Sequence, residues 1–156
     1  MIDISKKLKE EIQWNNKNNV KKGNEGENMV FNYLKNQNYI LYHPITSGYH
    51  YCDFIAINKR FDKMFLIDVK VRQPRRLYND VSVTKRNYNI YQKLSKIYNI
   101  PFFIFFVINN NIYGNYLNSL MIKNKISNIE YPLFQNKFIY FHTSTLVQNP
   151  ILNNKK

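Results

Sequence analysis

The chain has one cysteine, Cys52, in 156 residues. An internal disulfide is therefore excluded, which fits a reducing compartment. No zinc-ligand spacing surrounds Cys52, so it reads as a small buried apolar residue. No run of about 18 or more apolar residues occurs, so no transmembrane helix and no membrane partner is expected. The opening Met-Ile-Asp-Ile-Ser has no apolar signal core, and its acids and lysines argue against export. The expected location is the cytoplasm, nucleoid-associated or within an infected host cell. Alanine occurs once against 25 asparagines, a bias that an AT-rich genome produces and that inflates lysine without any function. No internal repeat is visible. Acids are scarce: ten Asp and Glu stand against 23 Lys and Arg, giving a net charge of +13.

What is present is the composition of one globular domain, 44% hydrophobic and long enough to bury a core. The positive charge points to a polyanionic partner, nucleic acid before membrane surface. Arginine is the better guide, because four of the five arginines (Arg72, Arg75, Arg76 and Arg86) fall between residues 72 and 86. A solvated charged loop would also account for that cluster taken alone.

The placement of the few acids is informative. Met64-Phe65-Leu66-Ile67-Asp68-Val69-Lys70-Val71 reads as a buried strand, with six apolar residues in eight. Strand side chains alternate, so Asp68 and Lys70 share one face, roughly 7 Å apart, and Phe65, Ile67, Val69 and Val71 line the other. Charges in such a strand cost several kcal/mol each unless partnered. Tyr51-Cys52-Asp53-Phe54-Ile55-Ala56-Ile57 is a second apolar run with one acid. Pairing Asn58 with Lys63 around a short charged turn makes the two runs a hairpin and sets Asp53 opposite Asp68, with Cβ atoms about 5 Å apart. Two carboxylates that close repel each other, and a divalent cation with oxygen ligands relieves them.

Along the chain, residues 3–14 have the pattern of a short amphipathic helix, with Ile4, Leu8 and Ile12 on one stripe. Residues 15–22 read as a polar link. A helix is expected over 25–37 on the stripe Val30, Phe31 and Leu34, with Glu27 at the N-terminal end of that stripe. Asn24-x-x-Glu27 is also a capping-box pattern, which would explain that glutamate without a site. Strands are expected at 39–43, 51–57, 64–71, 102–108, 112–117 and 137–142. Residues 72–83 read as an arginine-rich loop, 85–98 as a helix with Tyr88, Tyr91, Leu94 and Tyr98 on one stripe, and 109–111 as a turn. A short helix is expected near 118–123, a loop around Pro132 and a helical turn at 143–147. This order predicts an α/β fold, a central mixed β-sheet flanked by helices. The division expected is an N-terminal helical arm over 1–18, one domain over 19–148 and a frayed tail over 149–156. His43 and His50 bracket the loop holding Ser47 and read as structural.

Glu27, Asp53 and Asp68-Val69-Lys70, in that order and spacing, resemble the PD-(D/E)XK nuclease superfamily. The wider pattern Lys22-Gly23, Gly26-Glu27, Ser47-Gly48, Asp53-Phe54-Ile55-Ala56 and Ile67-Asp68-Val69-Lys70 resembles the archaeal-type Holliday-junction resolvases within it. The likeness extends through Gln92-Lys93-Leu94 to the strand at 102–108, covering about residues 20–110. One position departs: the usual proline before the first motif aspartate is Cys52 here.

The resemblance implies a restriction-endonuclease-like fold and a metal-dependent endodeoxyribonuclease acting in DNA recombination or repair. It implies a homodimer and a branched DNA substrate. Glu27, Asp53, Asp68 and the Val69 carbonyl would hold Mg2+, with Mn2+ as a substitute, and Lys70 would act on the attacking water and the phosphate. Lys22, Ser47, Arg72, Arg75, Arg76, Lys85 and Arg86 would contact DNA phosphates. The competing functions are a restriction- or repair-type nuclease on duplex DNA, a non-catalytic nucleic-acid-binding protein on the same fold, and a basic RNA-associated protein in which the acids are incidental.

Overall fold

A computed structural model of the chain describes residues 18–44, 50–60 and 63–152. The expected amphipathic helix at 3–14, Ser47 and the last four residues, 153–156, lie outside that set. In chain order the elements are α1 (Asn18–Asn36), β1 (Tyr39–Tyr42), β2 (Phe54–Asn58), β3 (Lys63–Val71), β4 (Asp80–Thr84), α2 (Lys85–Tyr98), β5 (Phe102–Ile108) and β6 (Asn111–Tyr116). There follow α3 (Leu117–Leu120), β7 (Asn124–Ile126), β8 (Ile129–Tyr131), β9 (Leu133–Gln135), β10 (Phe138–His142), a 3-10 turn (Thr143–Thr145) and β11 (Val147–Gln148).

Six strands form the main sheet in the order β1-β2-β3-β5-β6-β11. Only β3 and β5 run parallel; the other neighbours are antiparallel. The crossover between β3 and β5 contains β4 and α2, as a parallel connection requires. A three-stranded sheet, β4-β10-β9, and a two-stranded ribbon, β7-β8, complete the fold. The fold is the mixed α/β sheet with flanking helices that the element order predicts.

Both faces of the main sheet are covered, which is why every residue of β5 is buried. On one face α1 packs Val30 and Leu34 against Phe65, Ile67, Val69, Phe103 and Phe105. On the other, Tyr88 and Tyr91 of α2 and Val81, Val83, Ile139 and Phe141 of the small sheet pack against Leu66, Phe102, Ile104 and Phe106. Alternation along β3 therefore sends Asp68 and Lys70 to the α2 side, with Leu66. Gly26 lets α1 approach β3 closely, since a Cβ there would overlap Val71 Cγ2.

Asparagine takes the left-handed positions that glycine usually fills. Asn109 (φ 49°) and Asn110 (φ 61°) make the β5–β6 turn, and Asn99 (φ 52°) ends α2. Thr84 caps the start of α2, its Oγ1 accepting from the Asn87 N–H at 3.1 Å.

Five expectations need correction. The polar stretch expected to link, from Asn18 to Lys22, is the first turn and a half of α1; it lacks an apolar stripe, but lysine tolerates a helix that the following turns anchor. The expected loop 72–83 ends in β4, whose Val81 and Val83 enter the core. The region around Pro132 carries β7, β8 and β9, each three residues long and too short for a periodic signal. The first part of the expected frayed tail is tied down: Tyr33 Oη donates to Pro150 O at 2.8 Å, Tyr39 Oη donates to Leu152 O at 2.7 Å, and Leu152 is buried. Tyr98, expected on the buried stripe of α2, is exposed.

Candidate active site

The site is built where β2 stops. Its ladder with β3 runs from Asn58↔Lys63 to Phe54↔Ile67, the register expected from the turn length. One step further the strands part. The Asp53 N–H still donates to Ile67 O at 2.8 Å, but the next group on β3, the Val69 N–H, is met by a side chain: it donates to Asp53 Oδ2 at 2.7 Å. A strand residue's N–H and C=O leave on the same side, so the Val69 carbonyl shares this edge.

Asp53 and Asp68 are both buried. Asp68 Oδ2 is closed off from solvent and makes no well-aligned hydrogen bond. Its neighbour is the Lys70 ammonium, with Nζ at 2.7 Å. The contact is an ion pair by distance, and it is the partner that the strand position of Lys70 demands. Burial, then the charges of Asp68 and Glu27, push the Asp53 carboxyl up to about 8, despite the Val69 hydrogen bond and Lys70.

Glu27 enters from the middle of α1, half-buried, and because the helix begins at Asn18 it is not a capping residue. Burial raises its pKa; His50, His43 and Lys70 oppose that, and Asp68 adds to it. Glu27, Asp53, Asp68 and Lys70 thus sense one another's charge. The two histidines, expected to be structural, lie in the same field. His50 Nδ1 is 3.9 Å from Asp53 Oδ1, and His43 stacks on Phe31 and meets Phe54 edge-on. Cys52 is buried, and burial with Asp53 and Asp68 raises its thiol to about 11, so it is no nucleophile at neutral pH.

Among the described residues, no three His, Cys, Asp or Glu side chains already stand in ligand geometry. The residues nevertheless fit a hard cation. The donor set is all oxygen, Asp68 Oδ2 is a sealed oxygen balanced by a single ammonium, and Asp53 is held with its charge opposed.

The arginines divide. Arg72 is committed to backbone: Nε donates to Ser82 O at 3.2 Å and Nη1 to Val71 O at 3.0 Å. Arg75, expected at the DNA surface, is clamped by a third buried acid. Its Nε donates to Asp80 Oδ1 at 2.6 Å and its Nη2 to Asp80 Oδ2 at 2.7 Å, and Asp80 Oδ2 also accepts from Tyr131 Oη at 2.9 Å. Asp80 is 0% exposed, so an arginine fork beside it serves the carboxylate first. The signal for Asp80 was the alternation of Asp-Val-Ser-Val-Thr ahead of a helix cap. Lys22, Arg76 and Arg86 are exposed and Lys85 is half-buried. A cleft of about 410 Å³ opens beside Arg72, with Lys22, Glu25 and Gln73 among its walls, but Asp53, Asp68 and Lys70 do not line it. No helix of the described residues is long and apolar enough to cross a membrane.

Comparison with known proteins follows this geometry. The nuclease-related domain family, NERD, matches residues 22–154. No curated protein matches the sequence. Among solved structures, the fold resembles that of Archaeoglobus fulgidus Hjc, a Holliday junction resolvase from an archaeal hyperthermophile. The TM-score is 0.58 at 12% identity, covering 79% of this chain and 90% of that one, so the likeness is one of fold.

Proposed function

The chain belongs to the nuclease-related domain family, and from that premise we propose that it is a Mg2+-dependent endonuclease hydrolysing phosphodiester bonds in branched DNA, as a homodimer with two sites. The observation that carries this is the buried pair Asp53 and Asp68 at the parting of β2 and β3, with Lys70 Nζ 2.7 Å from Asp68. Ionising both acids without a cation is costly, and Glu27 adds a third carboxylate to the same field.

Glu27, Asp53, Asp68 and the Val69 carbonyl would hold the ion, with Mn2+ as a substitute on the same oxygens. When held, the ion supplies positive charge to the phosphate and acidity to a water. The chain's own groups do the rest. Asp53, raised to about 8, would have to release its proton to serve as a ligand. Lys70 donates to a phosphate oxygen and balances the charge that develops on it. The Val69 N–H fixes Asp53, holding its Oδ2 against the edge of β3. Lys22, Arg76, Lys85 and Arg86 contact backbone phosphates, which sets register without reading sequence. Arg72 and Arg75 shape the loop between β3 and β4.

The test is incubation with a synthetic four-way junction, a flap and a linear duplex, each with Mg2+ or with EDTA. Paired nicks in the junction, lost in EDTA, are expected. Equal cutting of all three substrates would select a general duplex nuclease, and binding without cutting would select a non-catalytic module. Asp68→Ala and Lys70→Ala should each abolish cleavage and leave DNA binding within a few-fold; full activity in either rejects the assigned site.

A further inference from the structure

The outer face of the β4-β10-β9 sheet is used by nothing described above. Along β10 the side chains alternate: Ile139 and Phe141 enter the core, while Phe138 and Tyr140 stand outside. The Arg75 guanidinium lies over Tyr140, 3.6 Å from the ring centroid, and against Tyr78 at 4.4 Å. Phe138 continues the row, its centroid 6.1 Å from that of Tyr140. Arg75 cannot swing away, because Asp80 holds Nε and Nη2. The row Phe138, Tyr140, Arg75, Tyr78 is therefore rigid, and its two ends are open: Phe138 is 38% and Tyr78 43% exposed.

Cations flank the row. Arg76 follows Arg75 in the chain and Lys137 precedes Phe138, both exposed, and the Lys85 N–H donates to Lys137 O at 2.9 Å, while the Lys85 ammonium lies 6.0 Å from the centroid of Phe134 on the neighbouring strand. Asp80 is the one acid between residues 72 and 86, and its charge is consumed by Arg75. An aromatic row with a guanidinium clamped by its edge, bordered by uncompensated cations, takes nucleobases by their faces and phosphates by charge. Paired bases hide their faces inside the duplex. We propose that this face binds unpaired nucleotides, as the single-stranded DNA arm of a branched substrate.

Its position suits that role. Arg72 joins Val71 O, at the end of the strand that carries Asp68 and Lys70, to Ser82 O on β4. Ser82 lies across from Tyr140 in the β4–β10 ladder. The row is thus pinned to the far end of the candidate catalytic strand. The proposal rests on the nuclease reading and adds, to the branched substrates it takes, DNA with an unpaired arm beside a duplex.

The experiment measures fluorescence anisotropy in EDTA, with a labelled oligo-dT and a blunt duplex of equal length. Phe138→Ala combined with Tyr78→Ala should weaken oligo-dT binding about tenfold or more and leave duplex binding within about twofold. In a second measurement, the indole emission that Phe138→Trp adds to that of the native Trp14, read as the difference from wild type, should be quenched by oligo-dT and not by duplex. Equal losses for both ligands, no loss for either, or absence of quenching by oligo-dT overturns the proposal. Because binding in EDTA involves no cleavage, the expected losses together with a wild-type protein that cuts nothing would uphold this face and reject the nuclease reading.

Discussion

Replacing Asp53 by asparagine should stabilise the cation-free protein at pH 8 while removing cleavage. The Asp53 carboxyl is displaced from 3.8 to about 8, first by burial and then by Asp68 and Glu27. The folded state therefore keeps a proton that the unfolded chain releases above pH 4. A raised acid contributes its full share of stability below the unfolded value and loses it as pH climbs through the folded one. Each pH unit of displacement is about 1.4 kcal/mol, so ionised Asp53 costs the metal-free fold several kcal/mol by pH 8. Asparagine carries no charge, and its Oδ1 still accepts from the Val69 N–H. Urea unfolding in EDTA between pH 4 and pH 8.5 is the assay. Wild-type stability should fall across that window, and the variant should be nearly flat and more stable above about pH 7, the two converging near pH 4. Mg2+ should raise the wild-type midpoint at pH 8 and leave the variant unmoved. A variant less stable than wild type at pH 8, or a wild type without the slope, refutes the strain assigned to this pair.

Other outcomes follow from contacts away from that pair. Arg75→Met leaves Asp80 buried with Tyr131 as its one side-chain partner among the described residues and should cost about 3–5 kcal/mol in urea unfolding. Gly114→Ala should cost about 1–3 kcal/mol, because a Cβ there would lie 2.7 Å from Ile104 O and 2.5 Å from the Phe103 ring. Asn110→Gly should raise stability by about 0.5 kcal/mol, since glycine adopts the left-handed turn conformation without strain; a fall in melting temperature would count against the turn assignment.

The parts of the fold that were legible in the sequence are those whose signals are local and dense. Asp68 and Asp53 stand out because each is a lone acid in an apolar run, and the turn between the runs is short enough to fix their register. The span of α2 was legible from the stripe Tyr88, Tyr91 and Leu94 and from Asn99-Ile100-Pro101 at its end, and β5 from seven apolar residues in a row. What was hidden depends on partners distant in sequence. Arg75 lies five residues from Asp80, yet the clamp exists only because Tyr131 and Tyr140 come from the far end of the chain to bury it. Pro150 and Leu152 look like a tail until the hydroxyls of Tyr33 and Tyr39 are seen bonding to their carbonyls. Glu27 was placed on the core side of its helix by spacing alone. That His43 and His50 share its field could not be read from a stretch without periodicity.

The central claim is that Glu27, Asp53 and Asp68 are arranged to grip a hard cation. The most direct test is calorimetric titration with Mn2+ at pH 7, comparing the wild type with Asp53→Asn and Asp68→Asn. Saturable binding accompanied by proton release, lost in both variants, is the predicted result. Wild-type protein that binds no Mn2+, or variants that bind it as well as the wild type, would contradict the account.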